Sequence, residues 1–294
     1  MPIASIASYE LPAEGSWPSC RAHWDFEPAR AALLIHDMQE YFLEPYDPGL
    51  SPLRPVLGHL QSLRDACDAS GVPVFFSAQP GEQSRAERGL LWDLWGPGLV
   101  ERPALGALGL APRTDDVMIT KRRYSAFHDT ALATLLAERG RDQLLITGVY
   151  AHIGCLATAV DGFMRGIQPF VVADALADFS KEDHLVALRQ VARTCGVVTT
   201  AGAVLNELNL GRLRAELARL LGVAAGAVQL DDDLADHGLD SVRGLELLER
   251  VLPPDHGLDF EALVGARSLR SLARLMSSSP RARTGAEGAD AIAL

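Results

Sequence analysis

Residues 31–39, Ala31-Ala32-Leu33-Leu34-Ile35-His36-Asp37-Met38-Gln39, decide the fold. Five apolar residues in a row, without the polar alternation of a half-exposed strand, read as a strand buried on both faces, and such strands belong to parallel sheets covered by helices. Comparable short runs recur at 73–77, 116–120, 144–149, 169–173 and 196–200, and helical patterns run between them near 53–70, 130–139, 155–166 and 182–194. The alternation predicts an α/β domain with a doubly wound, mostly parallel sheet, its functional groups at the carboxyl ends of the strands.

Outward from this core the pattern changes on both sides. Residues 1–30 read as an arm punctuated by Pro2, Pro12, Pro18 and Pro28. After about residue 201 the strands stop. Residues 201–207 read as a short linker, and Leu208, Leu213, Leu217, Leu220 and Leu221 then give an amphipathic helix. An Asp-rich loop (Asp231, Asp232, Asp233, Asp236), a Gly238-Leu239-Asp240-Ser241 turn, a helix with Val242, Leu245, Leu248 and Val251, and a last helix near 268–276 follow. This predicts a small all-α domain of about seventy residues. The expected boundaries are 1–204, 205–276 and a polar, small-residue tail over 277–294, read as disordered.

Composition bounds the function. The chain has 294 residues, 48% of them hydrophobic, and a net charge of −11, which argues against a nucleic-acid backbone as partner. No apolar run approaches the ~20 residues of a membrane span, and the N-terminus lacks the pattern of a secretory signal. Cys20, Cys67, Cys155 and Cys195 show neither CxxC pairing nor zinc spacing, and read as reduced thiols of a cytoplasmic protein.

Three run ends carry chemistry. Asp37 closes the first strand, Lys121 the third, and Gly148-Val149-Tyr150-Ala151-His152-Ile153-Gly154-Cys155 leads from the fourth into a helix. An acid, a lysine and a strand-to-helix turn at neighbouring strand ends suit a cleft, although strand-end Asp residues are as often helix caps. Ser241 has two readings as well. It fits a helix N-cap, and it fits the attachment serine of a carrier domain, where the acidic segment before it would suit a basic transferase and the helix start a phosphodiester.

Taken together, Trp24-Asp25-Phe26-Glu27-Pro28, Ile35-His36-Asp37-Met38-Gln39, Ala78-Gln79-Pro80, Trp95-Gly96-Pro97-Gly98-Leu99, Arg123-Tyr124-Ser125-Ala126-Phe127, the 146–155 stretch and Asp174-Ala175-Leu176-Ala177-Asp178-Phe179-Ser180 resemble the bifunctional isochorismatase–aryl carrier proteins of catecholate (enterobactin-type) siderophore synthesis, from about residue 1 to 276. The wider cysteine-hydrolase family uses an Asp–Lys–Cys triad. Asp37 and Lys121 match its first two members, but the nucleophile position falls on Gly154, with Cys155 one residue off and expected to point elsewhere. Without a nucleophilic thiol a thioester route is closed.

The resemblance implies hydrolysis of the vinyl ether of isochorismate to 2,3-dihydro-2,3-dihydroxybenzoate and pyruvate, with no metal. Asp37 would be the general acid, its pKa raised by an apolar cleft, and Lys121 would bind a substrate carboxylate. Gln79, Arg88, Tyr150 and the Gly154 backbone would hold the carboxylates and ring, and Phe42 and Trp95 would wall the pocket. The Val149–Tyr150 bond would be cis. His36 and His152 read as structural, and Asp174 and Asp178 as a helix-start or loop feature without chemistry. Ser241 would carry 4′-phosphopantetheine and, on its thioester, activated 2,3-dihydroxybenzoate.

The implied partners are a phosphopantetheinyl transferase, an aryl-adenylating ligase and a condensation-domain synthetase. The resemblance also implies that the all-α carrier domain is a four-helix one, and a homodimer through the α/β domain. The 251–260 connection looks shorter than usual for the family, which bears on the carrier's partner surface. Rival readings are a phenazine-type hydrolase of the 2-amino analogue of isochorismate, and a carrier scaffold with an inactive hydrolase domain.

Overall fold

The computed structural model describes residues 3–100, 107–234, 236, 246–247, 250–251 and 265–278. The described residues divide into two compact units between Ala201 and Gly202.

The first unit is built on six strands: β1 (Ala31–His36), β2 (Val74–Ala78), β3 (Val117–Thr120), β4 (Gln143–Val149), β5 (Gln168–Ala177) and β6 (Val197–Thr199). They form one sheet in the order β3-β2-β1-β4-β5-β6, and every pairing is parallel. The chain starts at the centre, builds out to β3, and returns to β4 beside β1. The carboxyl ends of β1 and β4 therefore flank the switch point at which open α/β sheets form ligand crevices.

Among the described residues the α-helices include α1 (Glu40–Leu43), α2 (Leu53–Ala69), α3 (Arg85–Arg88), α4 (Leu91–Trp95), α5 (Leu132–Glu138), α6 (Leu156–Met164), α7 (Lys181–Thr194), α8 (Ala201–Leu221), which belongs to the second unit from Gly202 on, and α9 (Leu269–Ser278), in that unit too. In β1, β2 and β4 every side chain is buried, alternating between the two faces of the sheet, whereas Met118 and Thr120 of the edge strand β3 are exposed. Leu34 and Ile146 pack with Leu136 of α5, Ala159 of α6 and Leu188 of α7. On the opposite face, the Arg64 guanidinium of α2 lies 5.3 Å from the Phe76 ring centroid. Burial on both faces is why β1 carries no polar residue before His36.

Two local expectations are corrected. The fifth strand runs on to Ala177, so Asp174 lies inside β5 and not in a loop or helix start. A register shift between Ile146 and Gly148 keeps the longer strand paired, with Gly148 opposite Leu176 and Val149 opposite Ala177. The linker expected over 201–207 is the first part of α8. Ala201, Val204, Leu205 and Leu208 are buried and make an i, i+3, i+4, i+7 stripe. The Asp174 carboxylate accepts the Ala201 N–H at 2.7 Å, satisfying one of the orphan donors of the helix start.

In the second unit Leu213, Leu217, Leu234, Leu247, Leu269 and Leu272 belong to one apolar cluster. The Asp-rich segment is partly neutralised: Arg270 Nε meets Asp231 Oδ1 at 2.8 Å, and Arg267 pairs with Asp233. The last helix reaches Ser278, two residues past its expected end at 276. Ser241, most of the helix expected over 242–251, and all of the 251–260 connection but Val251 lie outside the described residues.

Candidate active site

Asp37 is the first residue past β1, with φ at +50°, a left-handed conformation uncommon for a residue with a Cβ. Its N–H donates to the Ser77 carbonyl (3.1 Å), and the Ser77 hydroxyl donates to Asp37 Oδ1 at 2.7 Å. Lys121 follows β3, its N–H bonded to the Ala78 carbonyl, and its Nζ stands 2.7 Å from Asp37 Oδ2 and 3.0 Å from the Arg123 carbonyl. Both side chains are almost wholly buried.

Between the two strand ends Gln39 and Gln79 clasp each other. The Gln79 N–H donates to Gln39 Oε1 (2.7 Å) and Gln39 Nε2 donates to the Gln79 carbonyl (3.0 Å). That leaves the Gln79 side chain free to face the site, with Nε2 at 3.4 Å from Asp37 Oδ2 and Oε1 accepting from Arg88 Nη1 at 3.4 Å. Arg88 ends α3, whose start is fixed by a reciprocal Ser84–Glu87 capping box. Its Nε donates to the Gly96 carbonyl at 2.6 Å, and no carboxylate pairs with it among the described residues. Gly98 lets it lie there: with φ at +76°, a Cβ at this position would stand 2.5 Å from Arg88 Cζ.

At the end of β4 the Val149–Tyr150 peptide bond is cis. The chain then makes one wide turn, Ala151–Cys155, closed by an i→i+5 bond from the Cys155 N–H to the Tyr150 carbonyl. Gly154 lies on the pocket side of this turn. Cys155 points into the core, its thiol 3.9 Å from the Thr147 carbonyl, and burial pushes it well above the usual thiol range. It is not a nucleophile.

Tyr150 donates its hydroxyl to the Phe42 carbonyl at 2.7 Å, and its ring lies tilted by 46° against Phe179 with the centroids 4.4 Å apart. What it offers the pocket is its ring. Trp95, also on the pocket, donates its indole N–H to the Tyr124 hydroxyl at 2.8 Å.

Asp37, Gln79, Arg88, Trp95, Lys121, Tyr150, Phe42 and Gly154 thus line one pocket, with about 520 Å³ of empty space partly open to solvent. Sequence reasoning missed Phe179, Tyr41, Tyr124 and Ile3, which line it too. Phe179 sits in the quoted 174–180 stretch, next to Asp178. That carboxylate accepts the His152 N–H at 2.7 Å and faces His152 Nδ1 at 2.6 Å, which raises the imidazole pKa, so Asp178 holds the 150–155 turn. Among the described residues no group of three His, Cys, Asp or Glu side chains is placed to hold a metal ion.

The expected upward shift of Asp37 is corrected. Burial does push its carboxyl up, but the Lys121 ammonium, helped by His36 and the Ser77 hydroxyl, outweighs it, and the pKa lies below the ordinary Asp value. His36 is driven the other way by burial, to about 4, so its ring is neutral near pH 7. The resting pocket holds one carboxylate and two cations, with a surplus of positive charge among apolar walls.

Two family models match the chain: the isochorismatase domain over residues 31–203 and the phosphopantetheine attachment site over 211–276. The chain is 43% identical to enterobactin synthase component B of Escherichia coli (strain K12), covering 94% of this chain and 99% of that protein. It is 40% identical to the isochorismatase of Bacillus subtilis (strain 168) over 85% and 87% of the two chains. Phenazine biosynthesis protein PhzD of Pseudomonas fluorescens is 45% identical but covers 69% of this chain, which accounts for 98% of that protein. Among solved structures, a cysteine hydrolase from Pseudomonas syringae pv. phaseolicola 1448A superposes with a TM-score of 0.60 at 27% identity, over 66% of this chain and 98% of its own.

Proposed function

The chain belongs to the isochorismatase family, with a phosphopantetheine attachment domain behind the hydrolase domain, and from that premise we propose that it splits isochorismate by protonating its enolpyruvyl double bond at Asp37. Arg88 is the observation that carries the reading. A buried guanidinium with no carboxylate partner among the described residues, in the same pocket as a buried acid, calls for an anionic substrate. Isochorismate brings two carboxylates.

The steps follow from the charges. Substrate carboxylates pair with Arg88 and Lys121, and guanidinium suits the planar carboxylate fork. With Lys121 neutralised, burial dominates at Asp37 and the acid takes up a proton. Asp37 gives that proton to the terminal methylene carbon of the vinyl ether, leaving an oxocarbenium ion. Water adds to its carbon and loses a proton. The hemiketal then collapses: its hydroxyl gives up a proton and becomes the pyruvate carbonyl, the bond from this carbon to the ether oxygen on the ring breaks, that oxygen takes a proton, and pyruvate and the dihydrodiol leave. Gly154 contributes no nucleophile, so no covalent intermediate forms. The walls, Phe42, Trp95, Tyr150 and Phe179, keep stray water from the cation.

Pyruvate release from isochorismate, followed by coupled reduction, tests the reading. Asp37→Asn lowers kcat/KM by about 10³. Arg88→Ala costs on the order of 10² in kcat/KM, mostly through KM. An Asp37→Asn variant with wild-type turnover would sink it. The 2-amino analogue is the competitor to run beside isochorismate, given the phenazine relative. The attachment domain weighs for isochorismate, because that relative matches the hydrolase part alone.

Support for the carrier reading comes from an apolar helical core among the described residues of the second unit and, in the sequence, from Ser241 in Gly238-Leu239-Asp240-Ser241. The 4′-phosphopantetheine arm offers a thiol for thioester carriage, of 2,3-dihydroxybenzoate in this reading. A phosphopantetheinyl transferase, an aryl-adenylating ligase and a condensation-domain synthetase are its partners, in a cytoplasmic homodimer. Incubation with coenzyme A and a broad transferase adds the mass of one arm to the wild type and none to Ser241→Ala. An unchanged wild-type mass would remove the carrier role and leave the hydrolase.

A further inference from the structure

We infer that His36 is a positioning and specificity-determining residue: its ring fills the space a side chain at position 154 would need, and so keeps that position bare beside Asp37 and Lys121. Gly154 has an ordinary negative-φ backbone that any residue could adopt, unlike Gly98 or Gly148. Conformation therefore does not demand glycine there. Space does: a Cβ on residue 154 would stand 2.9 Å from His36 Nε2 and closer still to its Cε1, distances side chains do not tolerate.

The ring is held in place by its neighbours. His36 Nδ1 lies 2.8 Å from the Val149 carbonyl, to which the neutral ring donates, and Nε2 lies 3.3 Å from the Tyr124 carbonyl. Its backbone is locked between β2 and β4, opposite Ser77 and Gly148. At 1% exposure it is enclosed, and Asp37 Oδ2 stands 3.8 Å from its Nδ1. The imidazole thus does three things at once. It pins the carbonyl of Val149, it packs against the turn at Gly154, and it closes the volume in which a side chain could approach the acid. A thiol or hydroxyl at 154 would meet Asp37 and Lys121 only if His36 were smaller. The two positions form one steric unit that limits the site to an acid, two cations and water.

The catalytic consequence rests on the reading of Asp37 as the acid, whereas the steric coupling stands on geometry alone, so the test has an arm for each. In the first arm, Gly154→Ala, His36→Val and the double variant are assayed on isochorismate. Gly154→Ala loses about 10² in kcat/KM, as a displacement near 1 Å does. The double variant regains at least roughly tenfold of that loss, a coupling far beyond additivity. In the second arm, Gly154→Cys is compared with His36→Val/Gly154→Cys by iodoacetamide labelling, with peptide mass locating the modified residue, and by thermal unfolding.

The double variant labels at position 154 faster than the single variant and melts higher. A single variant too unstable to isolate beside a folded double variant supports the inference equally. Equal labelling and equal melting of the two cysteine variants would overturn it, as would a Gly154→Ala enzyme with wild-type kcat/KM. Failure of isochorismate turnover in the wild type would count against the proposed function, and the labelling arm would still decide this point.

Discussion

Asp37 has to deliver a proton, yet in the resting site it is held as an anion, with Lys121 Nζ at 2.7 Å outweighing the effect of burial. The ordering of these two influences has a kinetic signature. kcat/KM reports the free enzyme and kcat the complex with substrate. With its pKa below the ordinary Asp value in the free enzyme, the acid form is scarce near neutrality, and kcat/KM falls as pH rises through the acidic range. Once substrate carboxylates occupy Lys121, the pKa of Asp37 rises and kcat holds to a higher pH. The expected outcome is a kcat limb displaced to higher pH than the kcat/KM limb, with proton uptake on binding a non-hydrolysable dicarboxylate analogue, measured by calorimetry in two buffers. Coincident limbs and no uptake would mean that substrate does not unload Lys121.

At the scale of elements, the segment from α3 through Gly98 exists to hold one guanidinium. Arg88 donates to the Gly96 carbonyl, and the bare Cα of Gly98 makes room for Cζ. Gly98→Ala both clashes and strains a φ of +76°. It should raise KM on the order of tenfold or more while kcat changes less, because it displaces a binding group and not the acid. Equal falls in kcat and kcat/KM would place Arg88 in the chemical step instead.

The same elements show what the sequence discloses. The run of β1, buried on both faces, stands out from its surroundings and makes the Asp37 that follows it conspicuous, while Lys121 shows as the charge that ends the short apolar run of the edge strand β3. Phe179 and Tyr41 reach the pocket through tertiary folding, which leaves no periodic trace. The end of β5 was hidden because Asp174 looks like a loop residue until a register shift and the α8 N-terminus give it partners. The start of α8 was hidden by Gly202 and Asn206, turn-favouring residues that lie off its apolar stripe but make the segment read as a linker. The Lys121 ion pair that reverses the pKa of Asp37 depends on a distance no sequence states.

For the whole molecule, the two units should respond differently to acid. Burial holds His36 and His184 at about 4, against ~6.5 for an unfolded histidine. Both rings sit in the first unit. Below pH ~6.5 the unfolded chain binds protons that the folded chain refuses, so stability is lost as pH falls toward 4, by roughly 3 kcal/mol for each ring. His152 acts in the opposite sense. Its pKa is raised by Asp178, so its contribution is present at low pH and fades as pH rises through the folded value. Being partly exposed, it offsets the buried pair only in part.

Asp37 enters later, since a depressed carboxyl loses its contribution only as pH falls through its own folded value. In the second unit the depressed groups, Glu216 beside Arg219 and Asp231 beside Arg270, are solvent-screened and titrate in that same low range. Calorimetry of the full chain should therefore show two transitions that part company. The transition raised by a dicarboxylate ligand, and so belonging to the hydrolase unit, falls by roughly 10 °C or more between pH 7 and 4.5, and the other barely moves. If the ligand-sensitive transition kept its temperature to pH 4.5, the two rings would have to be reaching solvent and charging in the native state. The packing of His36 against Gly154 would then have to be looser than the distances around it allow.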